Sequence, residues 1–504
     1  MFHERIKKNA LHKTSLSGVL KSKQKCVPNF QFQGNAFHCS TSWNDGSLRK
    51  SIQNVINNAR IYKWKNIESV QIKGNSLTNE IMLDLESLFK NHILEIKTVI
   101  LKFAKTRLVL QQGLRALAYG MGRHLKDLKK LMISFPISFV HNSQELSELV
   151  KQIGLYCNRL KEFSFDLGLI RSMRLKAPKT FALFRSRIAR YFSRIEKLSV
   201  DSKDLEFGSL DNVIDFIIME RIGQGRMTNL KKLSINLEDN MSLRYQAFER
   251  LFSYLCESTG NLQDLSLNLS SCSVSARNIK DSILGIENVA ESNGAKQKKR
   301  KKNIKRLTLL FNFNAHFGDQ GMKDLVSDIT KRNLDESLEN LKLGFVDCKE
   351  ITIDGFEILC FNLSEYFLHL KSLDLNLHGC KISNAGLKAG MGALKKCIQR
   401  IEKLTLNFFG CKNISDEGLE AFTDVLIGNG LNLKEISLTF DLEFIIDKGI
   451  IEDFGQRIGQ AFTNGMRYLW LRLLNCREEV VNDEVKENFW KNFDKIQKLV
   501  IKWE

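Results

Sequence analysis

LKSLDLNLHGCKISNAGL (370–387) and IEKLTLNFFGCKNISDEGL (401–419) are two copies of one pattern. In the first, Leu373, Leu375 and Leu377 alternate with Asp374 and Asn376, the period of a short strand with one buried face. The segment after each strand reads as a helix. Ser415 and Asp416 supply N-cap chemistry, Leu419, Phe422, Val425 and Leu426 form an apolar stripe, and Gly428 and Gly430 are stop signals. The earlier copy repeats the stripe with Leu387, Met391 and Leu394.

The same template, LxxLxLx(L/F), recurs along the chain. Clear copies are LKKLSINL (230–237) and LQDLSLNL (262–269), and looser ones start at Ile67, Ile96, Leu128, Leu160, Ile195, Ile304, Leu338, Leu433, Met466 and Ile496. Fourteen starts at spacings of 29 to 42 residues, most near 32, predict a solenoid. A strand with its returning helix buries an apolar face only against the neighbouring copy. Five cysteines, Cys272, Cys348, Cys380, Cys411 and Cys476, share one position of the repeat, ten residues after its first apolar residue. A position repeated through a stack is a packing position, so these read as buried thiols beneath the turn after each strand, in a reducing compartment. Eleven cysteines in all include no CxxC pair.

The two quoted segments resemble the leucine-rich repeat, and specifically its ribonuclease-inhibitor-like subclass, in which each repeat carries a full helix. That resemblance implies an α/β horseshoe of about 14 β-strand/α-helix repeats over 67–504, with a parallel sheet on the concave side, and says little about function. One departure stands out. The family pattern places its Asn/Cys eight residues after the first Leu, whereas Cys380 and Cys411 come ten after Leu370 and Ile401. The extra inward Leu377 and Phe408 are expected to lengthen the strand.

The expected organisation is a basic, extended arm over 1–46, a capping helix over 47–66 built on Leu48, Ile52, Val55, Ile56 and Ala59, and the solenoid over 67–504. The 42-residue spacing between Leu262 and Ile304 marks a basic loop insertion at about 291–303. The formal net charge is +19, from 76 Lys+Arg against 57 Asp+Glu. Residues 1–66 hold twelve bases and two acids, and 296–306 holds eight bases and none, so two stretches carry eighteen of the nineteen excess charges. Candidate contacts for acidic partners are therefore Arg5, Lys7, Lys8, Lys13, Lys21, Lys23 and Lys25 in the arm, and Lys296, Lys298, Lys299, Arg300, Lys301, Lys302, Lys305 and Arg306 at the loop. The same loop also reads as a passive, solvated connection or an import signal.

On the concave side the expected lining includes Asp166, Asp201, Asn236, Asn268, Asn376, Asn407 and Trp470. These residues read either as a groove for a helix or extended peptide, or as polar side chains tolerated on a solvated sheet. The last strand, IQKLVIKW (496–503), ends the chain with Trp503 on it, and another subunit is expected to cover that edge.

No catalytic, cofactor or metal residues stand out, and no small-molecule substrate is expected. The nine histidines are scattered singly, and GMGRH (120–124) and RIGQGR (221–226) lack a phosphate loop's following Lys-Ser/Thr. No apolar run approaches a membrane span. Met1 to Leu20 lacks a secretory h-region, while its spaced bases leave a mitochondrial presequence open. The leading expectation is a non-enzymatic, intracellular scaffold in a large assembly. The composition resembles that of ciliate-type protists, which points towards the cytoskeleton or cilium and a tubulin-like acidic partner. The alternatives are an RNA-associated protein of a ribonucleoprotein and a ubiquitin-ligase substrate receptor, the latter without a convincing F-box in 1–60.

Overall fold

The computed structural model describes residues 30–33, 36–40, most of 48–57, 68–91, 96–106, 111–134, 143–166, most of 194–203, 229–239, 261–272, 303–331 and, with short breaks, 334–503. The chain forms two compact units, 1–160 and 161–504.

In the first unit, β1 (Phe30–Gln33) pairs antiparallel with β2 (Ala36–Ser40), and β2 runs parallel to β3 (Ser69–Leu77), β3 to β4 (Thr98–Thr106) and β4 to β5 (Lys130–Ser134). The distal part of the segment expected to be an extended arm is therefore a strand pair extending this sheet. Residues 48–57 are helical wherever described, with Leu48, Ile52 and Ile56 buried. Helices α1 (Asn79–Asn91), α2 (Gln111–His124) and α3 (Ser143–Tyr156) come after β3, β4 and β5 in turn.

The second unit stacks eleven parallel strands in chain order: β6 (Glu162–Asp166), β7 (Lys197–Asp201), β8 (Lys232–Asn236), β9 (Asp264–Asn268), β10 (Arg306–Leu310), β11 (Asn340–Gly344), β12 (Ser372–Asn376), β13 (Lys403–Asn407), β14 (Glu435–Asp441), β15 (Tyr468–Leu474) and β16 (Lys498–Trp503). Its described helices are α4 (Asp319–Lys331), α5 (Ile353–Tyr366), α6 (Asn384–Ile398), α7 (Asp416–Asn429), α8 (Lys448–Ala461) and α9 (Asp483–Trp490). Register never slips: Leu341, Leu373, Leu404, Ile436, Leu469 and Leu499 are successive partners. A one-residue slip would turn every such leucine to the solvated face.

Behind the sheet, one position further in, Phe311, Phe345, Phe408 and Phe440 are completely buried. Phe311 stacks on Phe345 at 5.9 Å between centroids and Phe408 on Phe440 at 5.7 Å. Main-chain pairing continues past the strands, with Leu377 N–H donating to Asn407 O (2.9 Å) and Gly379 N–H to Phe409 O (2.8 Å). The two residues beyond the usual pattern thus extend the ladder.

The next position is left-handed in copy after copy: Asp239, Ser271, Phe313, Asp347 and Asn475 have φ between 53° and 62°, and Gly379 and Gly410 have φ of 70°. A turn of this geometry suits glycine, asparagine and aspartate, and is unusual for an aromatic residue such as Phe313.

The cysteine column comes next. Cys272 Sγ donates to Leu237 O (2.9 Å), Cys348 to Phe311 O (3.1 Å), Cys380 to Phe345 O (3.2 Å) and Cys411 to Leu377 O (3.2 Å), each reaching the preceding repeat. Asn314 occupies the same position between Cys272 and Cys348. Fully buried, it donates through Nδ2 to Leu269 O and Phe311 O (both 2.8 Å) and accepts Cys272 N–H (3.1 Å).

Helices approach closely at glycines. A Cβ on Gly355 of α5 would lie 2.9 Å from Asp319 Cα of α4. Asp319 accepts from both the N–H (2.7 Å) and the hydroxyl (2.6 Å) of Thr352, tying consecutive helix starts together. Ser415 caps α7 in position but not in bonding: its hydroxyl accepts from Asn384 Nδ2 of the previous repeat (2.7 Å). Gly428 lies within α7, and Gly430 ends it with a negative φ.

Candidate binding surface

Because side chains alternate along a strand, each strand of the second unit buries its apolar residues on one face of the sheet and turns the intervening residues to the other, outward face. One outward row reads Ser164, Ser199, Ser234, Ser266, Thr308, Lys342, Asp374, Thr405, Ser437, Trp470, Val500. The next reads Asp166, Asp201, Asn236, Asn268, Leu310, Gly344, Asn376, Asn407, Thr439, Arg472, Lys502. The predicted lining residues thus share one sheet face.

Several of them are already employed. The side-chain oxygens of Asn376 and Asn407 accept from the N–H groups of His378 (3.2 Å) and Phe409 (3.0 Å). Asn236 and Asn268 do the same for Glu238 (3.2 Å) and Ser270 (3.1 Å), and Asp201 for Lys203 (3.1 Å). These turns closed by a side-chain oxygen two residues back explain why Asn and Asp recur at this position: it ends the strand. Asn236 Nδ2 also donates to Asp201 Oδ1 (3.1 Å).

Where the strands begin, a pattern that the repeat template did not single out appears. The residues just ahead of successive strands are Lys161, Glu196, Lys231, Gln263, Lys305, Glu339, Lys371, Glu402 and Lys434. Glu196 lies between Lys161 (2.7 Å) and Lys231 (3.1 Å), Glu339 between Lys305 and Lys371 (both 2.9 Å), and Lys434 meets Glu402 at 2.8 Å. Hydrogen bonds from Lys305 and Lys371 hold the Glu339 carboxyl down to about 2. Lys161 and Lys231 lower that of Glu196 in the same way. The alternation is visible in the sequence at the second position of the repeat, where it looks like ordinary solvated charge.

This ladder absorbs two of the expected loop contacts. Arg306 opens β10 and, with Lys232, flanks Asp264 (3.1 and 2.9 Å), while Lys305 belongs to the Glu339 pair. Both stand in the sheet edge, not in the insertion. Lys296, Lys298, Lys299, Arg300, Lys301 and Lys302, and the arm residues Arg5 to Lys25, lie outside the described residues.

At the other end of the sheet face the character changes. Tyr468, Trp470 and Arg472 point outward from β15, and Lys498, Val500 and Lys502 from β16. Lys498 Nζ sits 5.4 Å from the Tyr468 ring centre and Lys502 Nζ 5.9 Å from that of Trp470, with the two rings edge to face at 6.4 Å. Trp503 points the other way, packed edge-on against Phe489 of α9 at 5.1 Å.

Beside Arg472, a depression of about 310 Å³ is lined by His378, Asn407, Phe409, Thr439 and Asn475. It adjoins another of about 500 Å³ over the turns, with the exposed Lys349, Lys381 and Lys412 and the acids Asp347, Asp441 and Glu443. His378 meets Phe409 edge-on at 4.8 Å.

Among the described residues no three His, Cys, Asp or Glu side chains converge as for a metal ion. Burial pushes the thiols of Cys157, Cys348, Cys397 and Cys411 up to about 12, so they are protonated and unreactive at neutral pH. Among the described residues no helix is long and apolar enough to cross a membrane.

No protein-family model matches the chain, and no curated protein matches it. Among solved structures it is similar to the Rad7 and Elc1 complex of yeast, at 14% identity over 92% of this chain and 93% of that one, with a TM-score of 0.42. A protein from Bacteroides fragilis is 12% identical over 71% of this chain and 84% of that one, with a TM-score of 0.32. Likeness at this level carries no argument. Strand register and repeat spacing are what make each unit a β/α solenoid of the leucine-rich-repeat type.

Proposed function

We propose that the chain is a non-enzymatic protein-binding scaffold within a larger intracellular assembly, built from repeats of the ribonuclease-inhibitor-like kind. The observation that carries this reading is the outward face of β6–β16. Eleven strands present a surface rich in small hydroxyl and amide groups that the described helices leave uncovered, ending at Tyr468, Trp470 and Arg472, residue types that anchor protein interfaces. Protonated, buried thiols suit a reducing compartment. The basic stretches in the arm and at 296–302 supply electrostatic attraction for acidic partners, and a cytoskeletal or axonemal assembly with a tubulin-like surface is the setting that fits that chemistry.

Co-purification of the tagged, full-length chain with quantitative mass spectrometry, with and without ribonuclease, tests this. Defined protein partners that survive ribonuclease and detergent extraction are expected. Partners released by ribonuclease would instead make the basic run at 296–302 an RNA contact, and the scaffold reading would fall.

A further inference from the structure

We infer that the corner of the first unit where α1, α2 and α3 end is a docking site for an acidic segment of a partner protein, one that carries an apolar side chain between its carboxylates. This rests on the reading of the chain as a protein-binding scaffold and gives that scaffold a contact on its first unit.

Glycines draw the three helices together at this corner. A Cβ on Gly120 of α2 would lie 2.9 Å from Glu86 Cα of α1, and one on Gly122 would lie 3.0 Å from Gln152 O of α3 and 3.2 Å from the Tyr156 ring. Packing this close sets Lys90, in the last turn of α1, and Tyr156, at the end of α3, on either side of Arg123 and His124, in the last turn of α2.

The charge at the corner is positive and uncommitted. Lys90, Arg123 and Lys126 are exposed, and among the described residues none of them is hydrogen-bonded or ion-paired. Neighbouring cations do meet carboxylates, as Lys151 meets Glu148 (3.1 Å) and Arg159 takes up Asp127. His124 feels all three: burial first, and then the charges of Lys90, Arg123 and Lys126, hold its imidazole below its ordinary value, with Glu86 opposing. A neutral His124 leaves three cations against that one carboxylate. Bases in a last turn suit the helix dipole. Arg123 nevertheless bonds none of the last carbonyls and lies over the Tyr119 ring one turn back, 5.2 Å from its centre.

Tyrosines supply the apolar part. Tyr119 and Tyr156 are 38% and 41% exposed, and neither hydroxyl has a partner among the described residues. Rigid amphipathic rings cost little entropy to order on binding, and Tyr and Arg are enriched at protein interfaces. A carboxylate received by Arg123 would set the next apolar side chain against these rings. Nucleic acid fits less well, because it needs a continuing track of cations along its phosphates. These three instead surround one helix end, with Glu86 and Asp127 beside them.

The test is fluorescence anisotropy on the purified, full-length chain with three labelled probes. These are a pentapeptide with one leucine flanked by glutamates, its glutamine counterpart, and a uridine decamer. The glutamate peptide is expected to bind at least about tenfold more tightly than the glutamine one, equivalent to about 1.4 kcal/mol. Lys90→Glu with Arg123→Glu, and separately Tyr119→Ala with Tyr156→Ala, should weaken it by a similar factor or more while circular dichroism and melting stay unchanged. Lys388→Glu, an exposed position on α6, should leave it alone. Equal binding of the two peptides, or tighter uridine binding lost through the same substitutions, would overturn the assignment. So would variants that bind like the parent, since the peptide would then be held by the basic stretches in the arm or at 296–302. If the peptide fails while ribonuclease-resistant partners still co-purify, the scaffold stands and only this site falls.

Discussion

Asn314 shows how one residue holds two repeats together. It replaces a thiol with an amide, meets three main-chain groups and is fully buried. Asn314→Leu strands the Cys272 N–H and Leu269 O, leaves Phe311 O with Cys348 alone, and should lower stability by about 2–3 kcal/mol, whereas Asn314→Cys should recover part of that by restoring the donor found elsewhere in the column. Urea unfolding reads both, and equal losses for the two variants would contradict the shared role. The thiols give a second residue-scale expectation. Cys348, Cys380 and Cys411 should resist iodoacetamide at pH 7.5 in the native chain and react in urea, as read by peptide mass spectrometry. Native labelling at these positions would contradict their burial.

At the scale of elements, glycine positions separate close contact from open space. Gly355→Ala pushes a Cβ against the backbone of Asp319 and should cost about 1–3 kcal/mol. Gly392→Ala, with nothing within 4 Å of the added Cβ, should stabilise α6 by about 0.5–1 kcal/mol. Thermal melts of the two variants should therefore shift in opposite directions. The ion-pair ladder sets a pH dependence. The Glu339 carboxyl lies below its ordinary value when folded, so its contribution is complete above about 4.5. It is lost as pH falls through about 2. The stability difference between the parent and Glu339→Gln, measured in urea, should be constant from pH 7 to 5 and shrink towards pH 2.

Strands were legible because leucine alternation is a property of few neighbours: Leu373, Leu375 and Leu377 lie where the pattern put them. The helical stripes of Leu387, Met391 and Leu394, and of Leu419, Phe422 and Leu426, were legible for the same reason. Contacts between repeats were not. The Ser415 hydroxyl bonds sideways to Asn384 thirty-one positions away, and the Asx turns and lysine–glutamate ladder likewise depend on which strands become neighbours. The β1–β2 pair escaped because FQFQ and AFHCS lie outside the repeat template, so no further copies marked them as strands.

For the whole molecule, charge and binding separate. The excess of 19 positive charges is concentrated in two stretches mostly beyond the described residues, and the described sheet edge is balanced by alternation. Trp470 stands out in the sequence as the row's one large aromatic residue, but its lysine and arginine surroundings needed the register. A competing surface exists on the helix side of the second unit, where Phe361, Tyr366 and Leu368 are 53%, 50% and 58% exposed. Hydroxyl-radical footprinting of the isolated chain against its native, co-purified assembly distinguishes the two faces directly. The account predicts that oxidation of Tyr468 and Trp470 falls on assembly while that of Phe361, Tyr366 and Leu368 is unchanged. Protection of the helix-side residues, with Tyr468 and Trp470 still fully oxidised, would contradict it.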